Sequence, residues 1–208
     1  MISILHFNIK RRLLYLTLGA VAFIISYSIG AATDMNKNET EYLRQQFDER
    51  IKDIDQNGIF FNNLIISLFM FIPAVGMGVG IFSGFSTGLV FSAIAEGSML
   101  LNNISPLVIL ITPFGIMEVF AYGLAMSRSG MLIYHIYQLI KKKSSTEYVV
   151  PTIIEIGIVI AILLIGAIIE WQMITQFNEV SNVPIAYLLK RAFEFSTLIF
   201  NNISSFII

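Results

Sequence analysis

Residues 112–118 have the sequence Thr-Pro-Phe-Gly-Ile-Met-Glu, which sets a proline, a glycine and a carboxylate inside one long apolar run. A proline removes a backbone donor from a helix, and the interruption frees polar backbone groups. Within hydrocarbon, an ionisable side chain is retained mainly where it faces a cavity, a partner charge or such freed groups. The pattern therefore predicts a broken helix around a polar centre, formed by Pro113, Gly115 and Glu118.

The composition around this stretch indicates an integral membrane protein. Hydrophobic residues make up 56% of the 208 residues and charged residues only 13%, with a mean hydropathy of +0.76. The 13 basic and 14 acidic residues nearly balance, which argues against a nucleic-acid-binding surface. The chain has no cysteine, and His6 and His135 are too far apart for a zinc motif. We expect neither a metal nor a cofactor.

The apolar runs predict an all-α, polytopic membrane protein with about five transmembrane helices. The run 13–32 is uncharged and long for the core of a cleaved signal peptide, so we expect a retained first span. Residues 58–101 carry a single charge, Glu96, and would measure about 66 Å as one helix, roughly twice a bilayer core. They predict two spans with a turn near Gly80 to Gly84. Residues 149–173 form the last span.

Residues 106–140 are also too long for one straight span. A short piece at 106–111, a break at 113–115 and a longer helix from Ile116 would resolve the excess. The segment 58–140 then forms a core of three spans. Arg128 lies about 15 Å along the helix from Glu118, so the two side chains cannot pair with each other. The predicted neighbours of Glu118 are Asn62, Asn63 and Glu96, and a purely structural Glu118 that bonds a backbone carbonyl is equally compatible with the pattern.

Two segments are expected at the membrane surface. Residues 33–57 carry four basic and seven acidic residues, with apolar residues mostly three or four apart, which predicts an amphipathic extracytoplasmic helix. This helix could be a solvated connector or a face on which a partner docks. Residues 184–208 mix apolar residues with Lys190, Arg191 and Glu194, which favours a C-terminal helix lying in the interface.

Four glycines at four-residue spacing predict close helix packing in the hairpin, because small residues let helix backbones approach in lipid. They are Gly76, Gly80, Gly84 and Gly88. The last two also complete a G-x-S-x-G pattern around Ser86, and with His135 this gives a remote alternative, an intramembrane serine protease. The strand-turn-helix context of that motif is missing, so we expect no enzyme.

The basic residues predict the orientation. Clusters at 10–12 and 141–143 are both cytoplasmic if five spans are present, which places residues 33–57 and the C-terminus outside a multi-pass plasma membrane protein whose N-terminus is cytoplasmic. Three N-x-[ST] sequons, at Asn38, Asn103 and Asn202, fall in segments that this topology puts outside. Such short motifs also arise by chance in a chain rich in Asn and Ser.

Residues 55–140 resemble the stage II sporulation protein M family of integral membrane proteins. The resemblance lies in Ile-Phe-Phe-Asn-Asn at 59–63, the glycine-rich hairpin, Pro-Phe-Gly-Ile-Met-Glu at 113–118 and Ser-Arg-Ser-Gly at 127–130. Members usually have Pro-His-Gly-x-x-Glu at the second place, where this chain has Phe114. In spore-forming bacteria the resemblance implies a membrane scaffold that recruits cell-wall-degrading partners.

Two function classes remain open. The leading hypothesis is a non-enzymatic scaffold or accessory subunit of a cell-envelope membrane complex. Its expected partners are membrane lipids and other integral membrane proteins, with self-association as one option. The alternative is a small transporter or channel component, because broken helices and carboxylates within the membrane also form ion sites.

Overall fold

The computed structural model describes residues 9–50, 55–96, 105–141 and 148–179, and all regular secondary structure in these ranges is helical. The prediction of an all-helical fold is confirmed for them. Six α-helices and one 3₁₀ helix follow one another: α1 (Ile9–Ala31), α2 (Lys37–Arg50), α3 (Gln56–Met70), α4 (Val75–Glu96), the 3₁₀ helix (Pro106–Ile111), α5 (Pro113–Ile140) and α6 (Val149–Glu179). The predicted interfacial helix at 184–208 lies outside the described residues.

Three of the described helices are long and apolar enough to cross a membrane. They are α1, α4 and the part of α6 from Val149 to Met173. Helix α3 has 15 residues and spans about 22 Å, less than the roughly 30 Å of a hydrocarbon core. Helix α5 has 28 residues, enough to cross by length, but it carries Glu118 and Arg128 along its course.

The turn of the hairpin lies at residues 71–74, so the expected turn near Gly80 to Gly84 was wrong. Helix α3 ends at Met70, and α4 begins at Val75 and runs through all four regularly spaced glycines. The break coincides with Pro73 and with Ala74, whose φ of 68° lies in the left-handed region. Proline has no backbone donor to continue α3, whereas a glycine inside a membrane helix keeps its donor.

Helix starts follow local capping chemistry. At α2, the Asn36 side chain accepts from the Glu39 backbone N–H at 2.9 Å, and the Glu39 carboxylate accepts from the Asn36 N–H at 3.0 Å. This reciprocal pair satisfies donors that the first helical turn leaves unbonded. Asp55 caps α3 in a similar way, accepting from the Gly58 N–H at 2.9 Å. Helix α2 therefore begins inside the segment predicted to be an amphipathic surface helix.

Helix α1 packs against α4 and α5, while α6 packs against α5 and α3. The core where these helices meet includes several aromatic rings, among them Phe23, Tyr27, Phe91 and Tyr122. The Tyr27 hydroxyl donates to the Pro106 carbonyl at 2.8 Å and so ties α1 to the 3₁₀ helix. Helix α2 lies against α4, and its Leu43 packs on the same core.

Helices α1 and α4 approach through their backbones. A side-chain carbon at Gly88 would overlap the Tyr27 carbonyl oxygen, and one at Gly30 would overlap the Phe85 carbonyl. Only residues without a Cβ allow this separation, which is the physical basis of small-residue packing in membranes.

Candidate functional site

The site begins at the junction between the 3₁₀ helix and α5. Thr112 is the N-cap of α5: its Oγ1 donates to the Ile109 carbonyl at 2.7 Å and accepts from the Gly115 N–H at 3.1 Å. A Cβ at Gly115 would overlap the Ile109 carbonyl oxygen. Helix α5 starts at Pro113 rather than at Ile116, because proline is well suited to the first helical turn, where its missing donor costs nothing.

Glu118 lies one turn into α5 and receives a hydrogen bond from the Asn63 side-chain amide of α3. Asn62 Nδ2 in turn donates to Asn63 Oδ1 at 3.2 Å. Both asparagines are buried. The structure thus brings together Glu118 and the adjacent asparagines that the sequence singled out. Glu96 does not join them, because it is exposed at the last residue of α4.

Glu118 lines a cavity of about 30 Å³ at the centre of the bundle. The cavity is bounded by side chains from α1, α4, the 3₁₀ helix, α5 and α6, and its polar lining includes the hydroxyl side chains of Tyr27, Ser83, Thr87 and Tyr122. The same wall contains Phe114, which is 2% exposed. An apolar ring therefore forms this part of the cavity wall.

A second carboxylate, Glu170 of α6, lines the same cavity and is missing from the sequence-derived site. Its side chain is 1% exposed, and its Oε2 has no hydrogen-bond partner among the described residues. The two acids therefore share one cavity. The sequence already shows a carboxylate inside the apolar run 149–173, but only the packing of α6 on α5 reveals that it lines the same cavity as Glu118.

Arg128 belongs to a different cluster, in which two arginines share one carboxylate. Arg12 of α1 donates from Nε to Glu155 Oε1 and from Nη2 to Glu155 Oε2, both at 2.6 Å. Arg128 donates from Nε to Glu155 Oε2 at 2.7 Å and from Nη2 to Glu155 Oε1. Arg12 also donates to Ser127 Oγ at 2.6 Å and to the Leu124 carbonyl at 3.0 Å. Arg12, Arg128 and Glu155 are all buried.

Arg128 and Glu118 therefore belong to separate clusters, in agreement with the expectation that the two side chains cannot pair. The two residues lie on the same helix about 15 Å apart along its axis, and the structure gives each a separate set of partners. Sequence reasoning missed Arg12 and Glu155, which come from α1 and α6. The bundle thus has two buried polar layers: the Glu118 and Glu170 cavity, and the arginine–glutamate cluster formed by Arg12, Arg128 and Glu155.

The four regularly spaced glycines of α4 face three different neighbours. A Cβ at Gly84 or Gly88 would meet backbone oxygens of α1, and one at Gly80 would meet the flexible side chain of Met126. At Gly76 it would overlap the Met70 carbonyl at the end of α3. The ladder therefore lies within one helix and lets α4 approach the helices around it.

Ser86 and His135 are not brought together. Ser86 adjoins Thr87, which lines the Glu118 cavity, whereas His135 lies 17 residues beyond Glu118, about 25 Å along α5. Ser86 also sits within the continuous helix α4 rather than on a strand-to-helix elbow. A serine–histidine pair needs hydrogen-bond contact, so the G-x-S-x-G pattern here has no base at His135.

Other sequence-derived positions have the following locations. Asn38 is exposed near the start of α2, and Asn103 and Asn202 lie outside the described residues. Among the described residues, no group of three or more His, Asp and Glu side chains could hold a metal ion.

Comparison with known proteins agrees with these motifs. The family model described as stage II sporulation protein M matches residues 13–171, a range that includes Glu118, Glu155 and Glu170. No curated protein and no solved structure gave a significant match. The three apolar helices and this match together indicate a membrane protein. Because the match covers more than half of the chain and includes the asparagine pair and the Pro113 to Glu118 motif, the chain belongs to the stage II sporulation protein M family.

Proposed function

We propose that this protein is a non-enzymatic scaffold or accessory subunit of a membrane complex in the cell envelope. The observation that carries the proposal is the small size of the central cavity. It measures about 30 Å³, which is room for about one or two water molecules. Ligand pockets for small molecules are roughly ten times larger or more. The buried ion pairs and amides are used to join helices to one another.

The proposed topology has five membrane-crossing helices in the plasma membrane, with α3 and α5 crossing in addition to the three most apolar helices. Helix α3 is short, but its partners α4 and α6 cover it, so its polar residues Asn62 and Asn63 point to protein rather than lipid. The N-terminus is cytoplasmic, and α2 and the C-terminus are outside. Outward-facing aliphatic side chains of α1 and α6 supply the lipid contact; they include Leu14, Leu18, Ile25, Ile154 and Ile158.

Helix α2 is the surface on which we expect a protein partner to dock. It attaches to the bundle through Leu43 and the buried Thr40, whereas Asn38, Glu39 and Glu41 point outward. The outward face carries charge, and α2 is fixed by its packing on the bundle. This face therefore offers directional polar contacts rather than a lipid-facing surface. Self-association through α2 would use the same face.

A photo-crosslinking residue placed at Glu41 tests the scaffold proposal in intact cells. We expect a discrete protein adduct at Glu41 and none at Ile25, a matched control that faces outward on α1. The adduct should be identified by mass spectrometry as an envelope protein or as a second copy of the chain. Absence of a protein adduct at Glu41, Glu39 and Asn38 would contradict the proposed docking face.

The second candidate is a small transporter or channel component, favoured by the pairing of Glu118 with Glu170 in one cavity. Carboxylates within the membrane are typical of proton and cation pathways. The small cavity restricts this alternative to an ion. Purified protein in liposomes would distinguish it from a scaffold, because a scaffold alone should give no proton or alkali-cation flux above empty liposomes.

A further inference from the structure

The cavity between Glu118 and Glu170 combines two acids with no base. None of the described side chains that line it is an arginine, a lysine or a histidine. Arg128 lies about 15 Å from Glu118 along α5, and it donates to Glu155 instead. Glu118 accepts from the neutral Asn63 amide, and Glu170 Oε2 has no partner among the described residues. A negative charge on either acid would therefore have no cation among the described lining residues to balance it.

The remaining lining offers oxygen ligands. Thr87 donates its hydroxyl proton to the Ser83 carbonyl at 2.7 Å, so the lone pairs of Thr87 Oγ1 remain available to accept. Tyr27 likewise uses its proton on the Pro106 carbonyl. Two carboxylates and two hydroxyl oxygens that act as acceptors make a donor set of hard oxygen atoms, which suits alkali and alkaline-earth cations.

Ligand number and volume select among these cations. Calcium takes six to eight oxygen ligands, more than the two hydroxyls and the two carboxylates, one of them already bonded to Asn63, provide. Magnesium usually keeps several waters of its own, and a cavity of about 30 Å³ has room for one or two particles of water size but not for a hydrated divalent ion. A single dehydrated alkali cation fits, and one proton shared by the two carboxylates completes the charge balance: two negative charges, one proton and one monovalent cation.

We propose that Glu118 and Glu170 hold one monovalent alkali cation, with Thr87 supplying a further oxygen ligand. This goes beyond the scaffold function, which requires no ion. The bound cation would contact side chains of α4, α5 and α6 at once. The stability of the packing of these three helices would therefore depend on the cation. The proposal does not require transport. The site can bind the cation without releasing it on the other side of the membrane.

The test measures the thermal unfolding of the full chain in detergent as sodium or potassium chloride replaces choline chloride at constant ionic strength. A ligand that binds only the folded state raises Tm with concentration, by about 3–5 °C at ten times Kd for a protein of this size. We expect this rise for at least one of the two alkali cations in the wild type and in Glu96→Gln, whose glutamate is exposed on α4. We expect no rise in Glu170→Gln and a weaker one in Thr87→Val.

A second measurement uses the wild-type protein, so it does not depend on whether a variant folds. An apolar carbodiimide labels buried protonated carboxyls, and mass spectrometry can locate the label at Glu118 or Glu170 in the wild type. The alkali cation should slow labelling about twofold at a concentration equal to Kd, when half of the sites are occupied. If neither sodium nor potassium changes Tm or labelling relative to choline, the site binds protons alone and the proposal is overturned. An equal effect of magnesium at matched ionic strength would overturn the assignment to a monovalent cation.

Discussion

Arg12 and Glu155 lie 143 positions apart in sequence and form a bidentate ion pair between the first and last described helices, with both hydrogen bonds at 2.6 Å. Arg128 binds the same carboxylate from α5. Paired donors from a guanidinium match the two oxygens of a carboxylate, so each arginine is fixed in orientation as well as charge. One glutamate therefore positions three helices, because two arginines from α1 and α5 share its carboxylate on α6.

The shared carboxylate predicts an unequal response to mutation. Glu155→Met removes the acceptor that both buried arginines use, and loss of one partner of a buried pair costs about 3–5 kcal/mol. Arg12→Met leaves Arg128 and Glu155 paired with each other, so we expect a clearly smaller loss of stability. Chemical unfolding of the two variants in detergent measures the difference. If Arg12→Met destabilises the protein as much as Glu155→Met does, the shared carboxylate does not govern the stability of the cluster.

The close approach of α1 and α4 predicts a sharp contrast between glycines of the same helix. Leucine at Gly88 must push against the Tyr27 backbone, and overpacking typically costs about 1–3 kcal/mol or more. A Cβ at Gly78, an exposed position, meets nothing within 4 Å, so Gly78→Leu should be neutral or slightly stabilising through helix propensity. Thermal stability and monodispersity of Gly88→Leu and Gly78→Leu compare the two directly.

Gly80→Leu provides an intermediate case. The obstacle there is the Met126 side chain, which is flexible and can move. We therefore expect a loss smaller than that of Gly88→Leu. Equal stability of all three leucine variants would show that the four-residue glycine spacing is not what sets the distance between the helices.

Local sequence signals predicted the parts of the site that are built from adjacent residues. The break at Pro113 and Gly115 follows from backbone chemistry, and Asn63 lies where a predicted polar partner of Glu118 was expected. Glu170 and Arg12 could not be assigned in this way, because their partners are set by which helix packs on which. The glycine spacing misled the placement of the turn, since small residues at helix contacts and at chain reversals look alike in sequence.

The orientation of the chain remains a prediction that surface labelling can test. The basic clusters at 10–12 and 141–143 predict that α2 is outside and residue 144 is inside. The chain has no cysteine, so single cysteines at Asn38 and Ser144 provide unique sites. An impermeant maleimide should label Asn38→Cys in intact cells and Ser144→Cys only after permeabilisation. Labelling of both in intact cells would contradict five crossings.

Phe114 predicts how the cavity tolerates change at the position where the family usually has histidine. Phe114→Ala removes a buried ring and should cost about 3–5 kcal/mol, the usual range for this truncation in a core. Phe114→His keeps a planar ring and adds a donor to a cavity that contains two acids, so its cost should be smaller. The comparison uses thermal unfolding at neutral pH. A larger loss of stability in Phe114→His than in Phe114→Ala would show that the cavity does not supply hydrogen-bond acceptors to this position.

Substitutions of Glu118 distinguish the scaffold hypothesis from the transport hypothesis most directly. Glu118→Gln keeps the size and an oxygen that can accept from Asn63, so assembly with partners should be retained. A carrier that binds and releases charge at this position would lose flux, because the amide cannot ionise. Glu118→Leu leaves the buried Asn63 amide without this acceptor, which costs about 1–3 kcal/mol. Stability, partner crosslinking at Glu41 and ion flux in liposomes should be measured for all three proteins. If leucine leaves every one of these unchanged, Glu118 is not the centre of the site.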